Sequence, residues 1–170
     1  AGATIIEHTN DTDGIISHAT ATHAIEEANY IYFGNSNNLE DQDPRKYIKM
    51  NGRKIYNFAL TNVPKAMKSC LEDSGYDINN LKKILIHQAN EKMDEAIVKR
   101  FYGLYDMQAP QDIMPMTINT LGNSSVATVP TLYDLIVNNN MEGHSIKKGD
   151  LIMFASVGAG MNINAMVYKA

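Results

Sequence analysis

Hydrophobic and polar positions follow two periods along this chain, and the places where the period changes mark its elements. Residues 3–7 (Ala3, Thr4, Ile5, Ile6, Glu7) and 14–22 are short runs rich in β-branched and small residues. Between them Asn10-Asp11-Thr12-Asp13-Gly14 is a cluster of turn formers, which predicts two antiparallel strands joined by that turn. Residues 33–44 hold Gly34, Asn35, Asn37, Asn38, several acids and Pro44, with little to bury, and predict a surface loop. From Ile55 onward, apolar or small residues fall at Ile55, Ala59, Val63, Ala66, Met67 and Cys70, one face of an α-helix. Gly75 closes that helix as a C-terminal cap. Pro64 lacks the N–H the helix needs, so either the helix kinks or two pieces abut near Asn62 and Val63; the expectation is a kink.

The run Ile84-Leu85-Ile86 is apolar without alternation, the pattern of a strand covered on both faces, and His87 ends it. A helix over residues 91–102 follows, capped by Asn90, with Met93, Ala96, Ile97, Phe101 and Leu104 on one stripe. Pro110 and Pro115 bound a loop and a short strand. Gly122-Asn123-Ser124-Ser125 then precedes a helical stripe of Val126, Val129, Leu132, Tyr133, Ile136 and Val137. The end reads as a hairpin: residues 151–156, a Gly158-Ala159-Gly160 turn, and residues 162–169 with Ile163, Ala165 and Val167 on alternate positions. The order β-β-α-β-α-β-α-β-β defines an α/β fold in one domain, a mixed β-sheet of about five strands packed with helices in layers.

Composition narrows the function classes. A hydrophobic share of 44% over 170 residues suffices for a buried core and rules out low-complexity disorder. The net charge of −4 gives the chain as a whole no electrostatic reason to seek nucleic acid or an anionic membrane. No apolar run approaches the roughly 20 residues of a membrane span, and no basic-then-apolar leader precedes the first strand. The single cysteine, Cys70, excludes an intramolecular disulfide and fits a cytoplasmic setting. The chain opens at Ala1 in what reads as the run into a strand, so we expect a piece of a larger protein.

Three sites could carry chemistry. His87, Asn123 and the Gly158-Ala159-Gly160 turn each fall where a buried strand or loop gives way to the next element, the edge at which layered α/β folds bind ligands. An imidazole can donate or accept at Nε2, a carboxamide donates N–H, and a glycine turn admits a substrate oxygen to the backbone. Together they suit a developing oxyanion. Each also has an ordinary structural explanation, as a packed histidine, a capped turn and a simple hairpin. Cys70 lies on an apolar helical stripe and reads as a packed thiol. His8, His18 and His23 are close in sequence, but on one continuous strand His18 and His23 point to opposite faces, so no metal site is expected.

The wording at these sites, His87-Gln88-Ala89-Asn90, Gly122-Asn123-Ser124-Ser125 and Gly158-Ala159-Gly160-Met161 in that order, resembles the C-terminal half of β-ketoacyl-acyl-carrier-protein synthase III, a thiolase-superfamily condensing enzyme. Ile48-Lys49-Met50-Asn51-Gly52-Arg53 is similar to the family's strand-to-helix entry, and residues 162–168 to its closing strand. The resemblance implies a thiolase-like half and a Cys-His-Asn triad in which His87 and Asn123 match the last two members, the cysteine lying in the other half. It implies ping-pong acyl transfer from a primer thioester, then decarboxylation of malonyl-acyl carrier protein and Claisen condensation, with both side chains donating to the enolate oxygen. It implies that the Ala159 N–H joins the acyl oxyanion hole, where Ala159, Val157 and Met161 depart from common family residues and Gly158 and Gly160 keep the turn. Gly52 and Asn90 match positions along the pantetheine tunnel, and Lys92 a basic position facing acyl carrier protein. The implied partners are acyl carrier protein and coenzyme A thioesters, with no cofactor beyond these thioester substrates. The full-length protein is expected to be a homodimer and this chain alone inactive. Two alternatives stay open: a non-catalytic half-domain that binds acyl carrier protein or coenzyme A, and a related synthase making polyketide-like or long-chain ketone products.

Overall fold

The two hydrophobic periods resolve into a helix-covered sheet and a separate ribbon of two strands. The computed structural model describes residues 2–170. In chain order they form β1 (Gly14–Thr22), β2 (Ile31–Gly34), β3 (Tyr47–Met50), α1 (Gly52–Ser74), β4 (Leu81–Ile86), α2 (Glu91–Gly103), α3 (Ile118–Leu121), α4 (Thr128–Val137), β5 (Leu151–Gly158) and β6 (Asn162–Lys169). The sheet has four strands in the order β1-β6-β5-β4, antiparallel except for the parallel β4–β5 pair.

Strand β4 explains its unbroken apolar run. Ile84 and Ile86 enter the core beneath α1 and α2, whereas Leu85 enters a second cluster with Leu132, Ile136 and Ile152 beneath α4. Both faces of a parallel pair must be covered, and here each face has its own helices. Alternation on β6 places Ile163, Ala165 and Val167 toward α1, where they are 1%, 2% and 0% exposed. No helix among the described residues is long and apolar enough to cross a membrane.

Helix α1 is one uninterrupted element of 23 residues through Pro64, not two abutting pieces. Proline leaves the carbonyl four residues earlier without its helical donor. Arg100 of α2 fills that vacancy, its Nη1 donating to Leu60 O at 3.1 Å. Gly75 ends the helix with φ of 73°, a left-handed conformation that glycine adopts without Cβ strain, and its N–H bonds to Glu72 O. Cys70 is 0% exposed against β1, where Ser17 Oγ donates to Cys70 O at 2.7 Å. Burial pushes the Cys70 thiol above its ordinary pKa.

Four expectations need correction. Residues 3–7 form no strand, so no hairpin joins them to β1; the β-branched run has no strand beside it among the described residues. The sheet holds four strands and not about five. Residues 110–117 form a turn-rich segment without a strand, tied to β4 by the Ile84 N–H to Ile113 O bond at 2.8 Å. The loop predicted from residue 33 starts later, because Ile31–Gly34 pairs antiparallel with Tyr47–Met50. In that ribbon Ile31 faces Met50 and Phe33 faces Ile48, so one side is wholly apolar.

Candidate functional site

His87 stands one residue beyond β4, and its backbone N–H donates to Ala155 O of β5 at 2.9 Å, carrying the strand pairing past the ladder's end. Its ring Nδ1 lies 3.1 Å from Ser125 O. A carbonyl only accepts, so Nδ1 carries the proton and the neutral ring presents its lone pair at Nε2. Burial pulls the His87 pKa below its ordinary value, and the Ser125 carbonyl partly opposes that. Burial thus favours the neutral imidazole over the imidazolium.

Asn123 reaches the same residue from the other side. Its Oδ1 accepts the Ser125 N–H at 2.9 Å, and its amide Nδ2 has no protein acceptor among the described residues. Ser125 has φ of 55°, the left-handed region that non-glycine residues rarely adopt, and its carbonyl also accepts Thr128 Oγ1 at 2.9 Å. One strained residue thus takes the imidazole on its carbonyl and the carboxamide on its N–H. The free ends, Nε2 and Nδ2, belong to side chains that are half-buried at His87 and exposed at Asn123.

The hairpin turn follows Ala155 by three residues. Gly160 has φ of 72° and Met161 has φ of 51°, and Asn162 Nδ2 fastens the turn by donating to Ala159 O at 2.8 Å. Gly158 and Ala159 are exposed, whereas the Met161 side chain is 1% exposed and belongs to the main core. Asn90 caps α2, its Oδ1 accepting the Met93 N–H at 3.1 Å, and Lys92 is exposed on the first turn. Gly52 opens α1 directly after its cap Asn51. No hydrogen bond joins Gly52, Asn90 or Lys92 to His87 or Asn123 among the described residues.

Two clefts run along α1. One of about 370 Å³ is lined by Leu60, Pro64, Arg100 and Leu104 among others, and one of about 310 Å³ by Glu27, Tyr30, Lys54 and Asn62 among others. Neither touches His87, Asn123 or the glycine turn; the polar pair lies on an open rim away from both.

Sequence reasoning missed three contributors. Ser125 read only as part of a polar stretch ahead of a helix and Thr128 carried no signal, and only the fold brings the Ser125 peptide between His87 and Asn123. Gln88 passed as part of a motif, although strand alternation after an outward His87 places it inside. Asp94 is a different omission: it is 0% exposed on α2, and neither carboxylate oxygen has a partner at full hydrogen-bond geometry among the described residues. Burial raises its pKa to about 7, partly opposed by the Asn90 backbone and helped by the nearby charges of Glu91 and Glu95. His8, His18 and His23 do not gather into a metal-ligand cluster among the described residues.

Solved structures share this architecture. A β-ketoacyl-[acyl-carrier-protein] synthase III from Thermus thermophilus superposes with a TM-score of 0.79 over 97% of this chain and 49% of that one, at 21% identity. The fold is that of a thiolase-like α/β domain. At the level of sequence, the family model described as 3-oxoacyl-[acyl-carrier-protein (ACP)] synthase III C terminal matches residues 71–170. A β-ketoacyl-[acyl-carrier-protein] synthase III from Acaryochloris marina is 30% identical over 176 residues, covering 99% of this chain and 50% of the relative. One from Porphyra umbilicalis is 32% identical over 122 residues, covering 72% of this chain and 34% of the relative. The chain belongs to the C-terminal domain family of 3-oxoacyl-[acyl-carrier-protein] synthase III. It spans about a third to a half of the length of the curated relatives it matches.

Proposed function

We propose that this chain is the C-terminal half of an acyltransferase that condenses an acyl thioester with malonyl-acyl carrier protein. The observation that carries the reading is the Ser125 peptide, held on its carbonyl by His87 and on its N–H by Asn123. In this reading a cysteine thiol from the other half gives its proton to Nε2 of His87. The thiolate attacks the primer thioester carbonyl, a new C–S bond forms, and the departing thiol takes the proton back. Malonyl thioester then binds, its C–C bond to the carboxylate breaks, and carbon dioxide leaves. The bonding pair moves onto the thioester oxygen as an enolate. Its carbon attacks the acyl-enzyme carbonyl, forming the new C–C bond and expelling the cysteine thiolate.

The tautomer changes the expected division of labour. With its proton fixed at Nδ1, neutral His87 offers a base and not a second donor, so Asn123 Nδ2 is the standing donor to the enolate. His87 joins it only as imidazolium. The Ala159 N–H would serve the acyl oxygen, while Gly52 and Asn90 would border the pantetheine arm and Lys92 would face the acidic carrier protein. The test is carbon dioxide release from malonyl-acyl carrier protein, expected from the full-length protein and absent from the 170-residue chain alone. Condensation by this chain without a second half would overturn the reading.

A further inference from the structure

Gln88 follows His87 directly, and in extended backbone adjacent side chains point to opposite sides. While His87 turns to the rim, Gln88 turns inward and is 0% exposed. Its carboxamide is spent on one short stretch of chain. Nε2 donates to Pro115 O at 2.8 Å, and Oε1 accepts from the Thr117 N–H at 2.8 Å and from Thr117 Oγ1 at 3.2 Å. Thr117 in turn starts α3, its carbonyl accepting the N–H groups of Thr120 at 3.0 Å and Leu121 at 2.8 Å. Four residues of α3 and Gly122 are all that separate Thr117 from Asn123. From Asn123 the hydrogen bonds return through Ser125 to His87. Chain and hydrogen bonds therefore close a circuit through His87, Gln88, Thr117, Asn123 and Ser125.

We propose that Gln88 is the positioning residue that sets the Asn123 carboxamide against His87. The proposal rests on the condensing reading and deepens it. Gln88 touches no substrate; it acts by fixing the segment that delivers Asn123. Upstream, two further bonds tie this segment to β4, where Lys83 Nζ donates to Asp112 O at 2.5 Å and the Ile84 N–H to Ile113 O at 2.8 Å. A buried amide with both ends engaged also has strong directional preference, because any slip of the segment leaves polar groups unpaired away from water.

The two half-reactions separate positioning from general damage. Acyl transfer to the enzyme thiol needs His87 and not Asn123, whereas carbon dioxide release from malonyl-acyl carrier protein needs Asn123. In the full-length protein, Gln88→Leu keeps the bulk and removes all three bonds. Carbon dioxide release is expected to fall about 100-fold, the loss an ångström-scale misplacement produces, with acyl transfer within about threefold of wild type. Gln88→Glu retains the acceptor for Thr117 and is expected to lose about tenfold in decarboxylation alone. Parallel loss of both half-reactions, or loss of neither, overturns the proposal; if Gln88→Leu does not fold, Gln88→Glu decides by the same split. Should wild type perform neither half-reaction, the condensing reading fails on its own, and hydrogen exchange judges Gln88 separately. The Ser125 amide, bonded to Asn123 Oδ1, is expected to exchange faster in the variants relative to amides of β5, and unchanged protection overturns the positioning role.

Discussion

Replacing Asp94 by asparagine should make the protein more stable at neutral pH and leave it nearly unchanged in acid. The carboxyl group is 0% exposed and among the described residues has no partner at full hydrogen-bond geometry, the Asn90 backbone only partly favouring the anion. Its place near the start of α2 favours an anion by up to about 2 kcal/mol. Burial wins, because the pKa rises from 3.8 to about 7. At about 1.4 kcal/mol per tenfold change in proton affinity, that rise corresponds to about 4 kcal/mol. The sign follows from proton counts. Between pH 3.8 and about 7 the folded state holds a proton that the unfolded state has lost, so stability falls as pH rises through this window. Below the window the contribution is fully present, and above it the whole amount is gone. Urea unfolding of wild type and Asp94→Asn across the window isolates the effect, since every other titrating group is common to both proteins. The difference should grow with pH toward about 4 kcal/mol in favour of the variant. A constant difference, or wild type gaining on the variant as pH rises, would show that Asp94 has a charge partner and refute the reasoning.

Three further outcomes follow from single contacts. Arg100→Met should keep the packing on α1 while orphaning the Leu60 carbonyl, lowering unfolding free energy by about 1–2 kcal/mol in the same assay. Gly75→Ala meets no atom within 4 Å of its new Cβ, so its cost is the left-handed backbone alone, about 1–2 kcal/mol by thermal unfolding. The Cys70 thiol, buried and shifted upward, should react with a chromogenic disulfide at neutral pH at least about tenfold more slowly than free cysteine; rapid stoichiometric modification would contradict its packing.

Legibility in the sequence tracked burial. Strands β1, β5 and β6 and helices α1, α2 and α4 carry apolar stripes that meet the core, so their periods were readable before any coordinates. The pairing of β2 with β3 escaped, although the resemblance at Ile48–Arg53 marked the passage from β3 into α1, because the ribbon's apolar side is not covered: Phe33, Ile48 and Met50 are 72%, 67% and 63% exposed. Without burial there is no contrast between an outward and an inward period. Residues 3–7 mislead in the opposite way, since β-branched composition permits a strand but pairing needs a neighbour. His87 and Asn123 were visible because each ends or precedes a periodic element. Their meeting at Ser125 was not, because it depends on a left-handed residue and on bonds spanning 38 positions. Asp94 and Gln88 were hidden for a shared reason: their surroundings come from distant segments, and the period of their own element says nothing about hydrogen-bond partners.

On the proposed reading the Asn123 carboxamide is the standing donor to the developing enolate while His87 is the base of acyl transfer. Carbon dioxide release from malonyl-acyl carrier protein and acyl transfer to the enzyme thiol, both measured on the full-length protein for His87→Ala and Asn123→Ala, address this directly. The expected outcome is a fall of about 100-fold to 1,000-fold in carbon dioxide release for Asn123→Ala with acyl transfer nearly unchanged, and a loss of acyl transfer for His87→Ala. Wild-type release by Asn123→Ala, or an equal loss of both half-reactions in it, would contradict this division of labour.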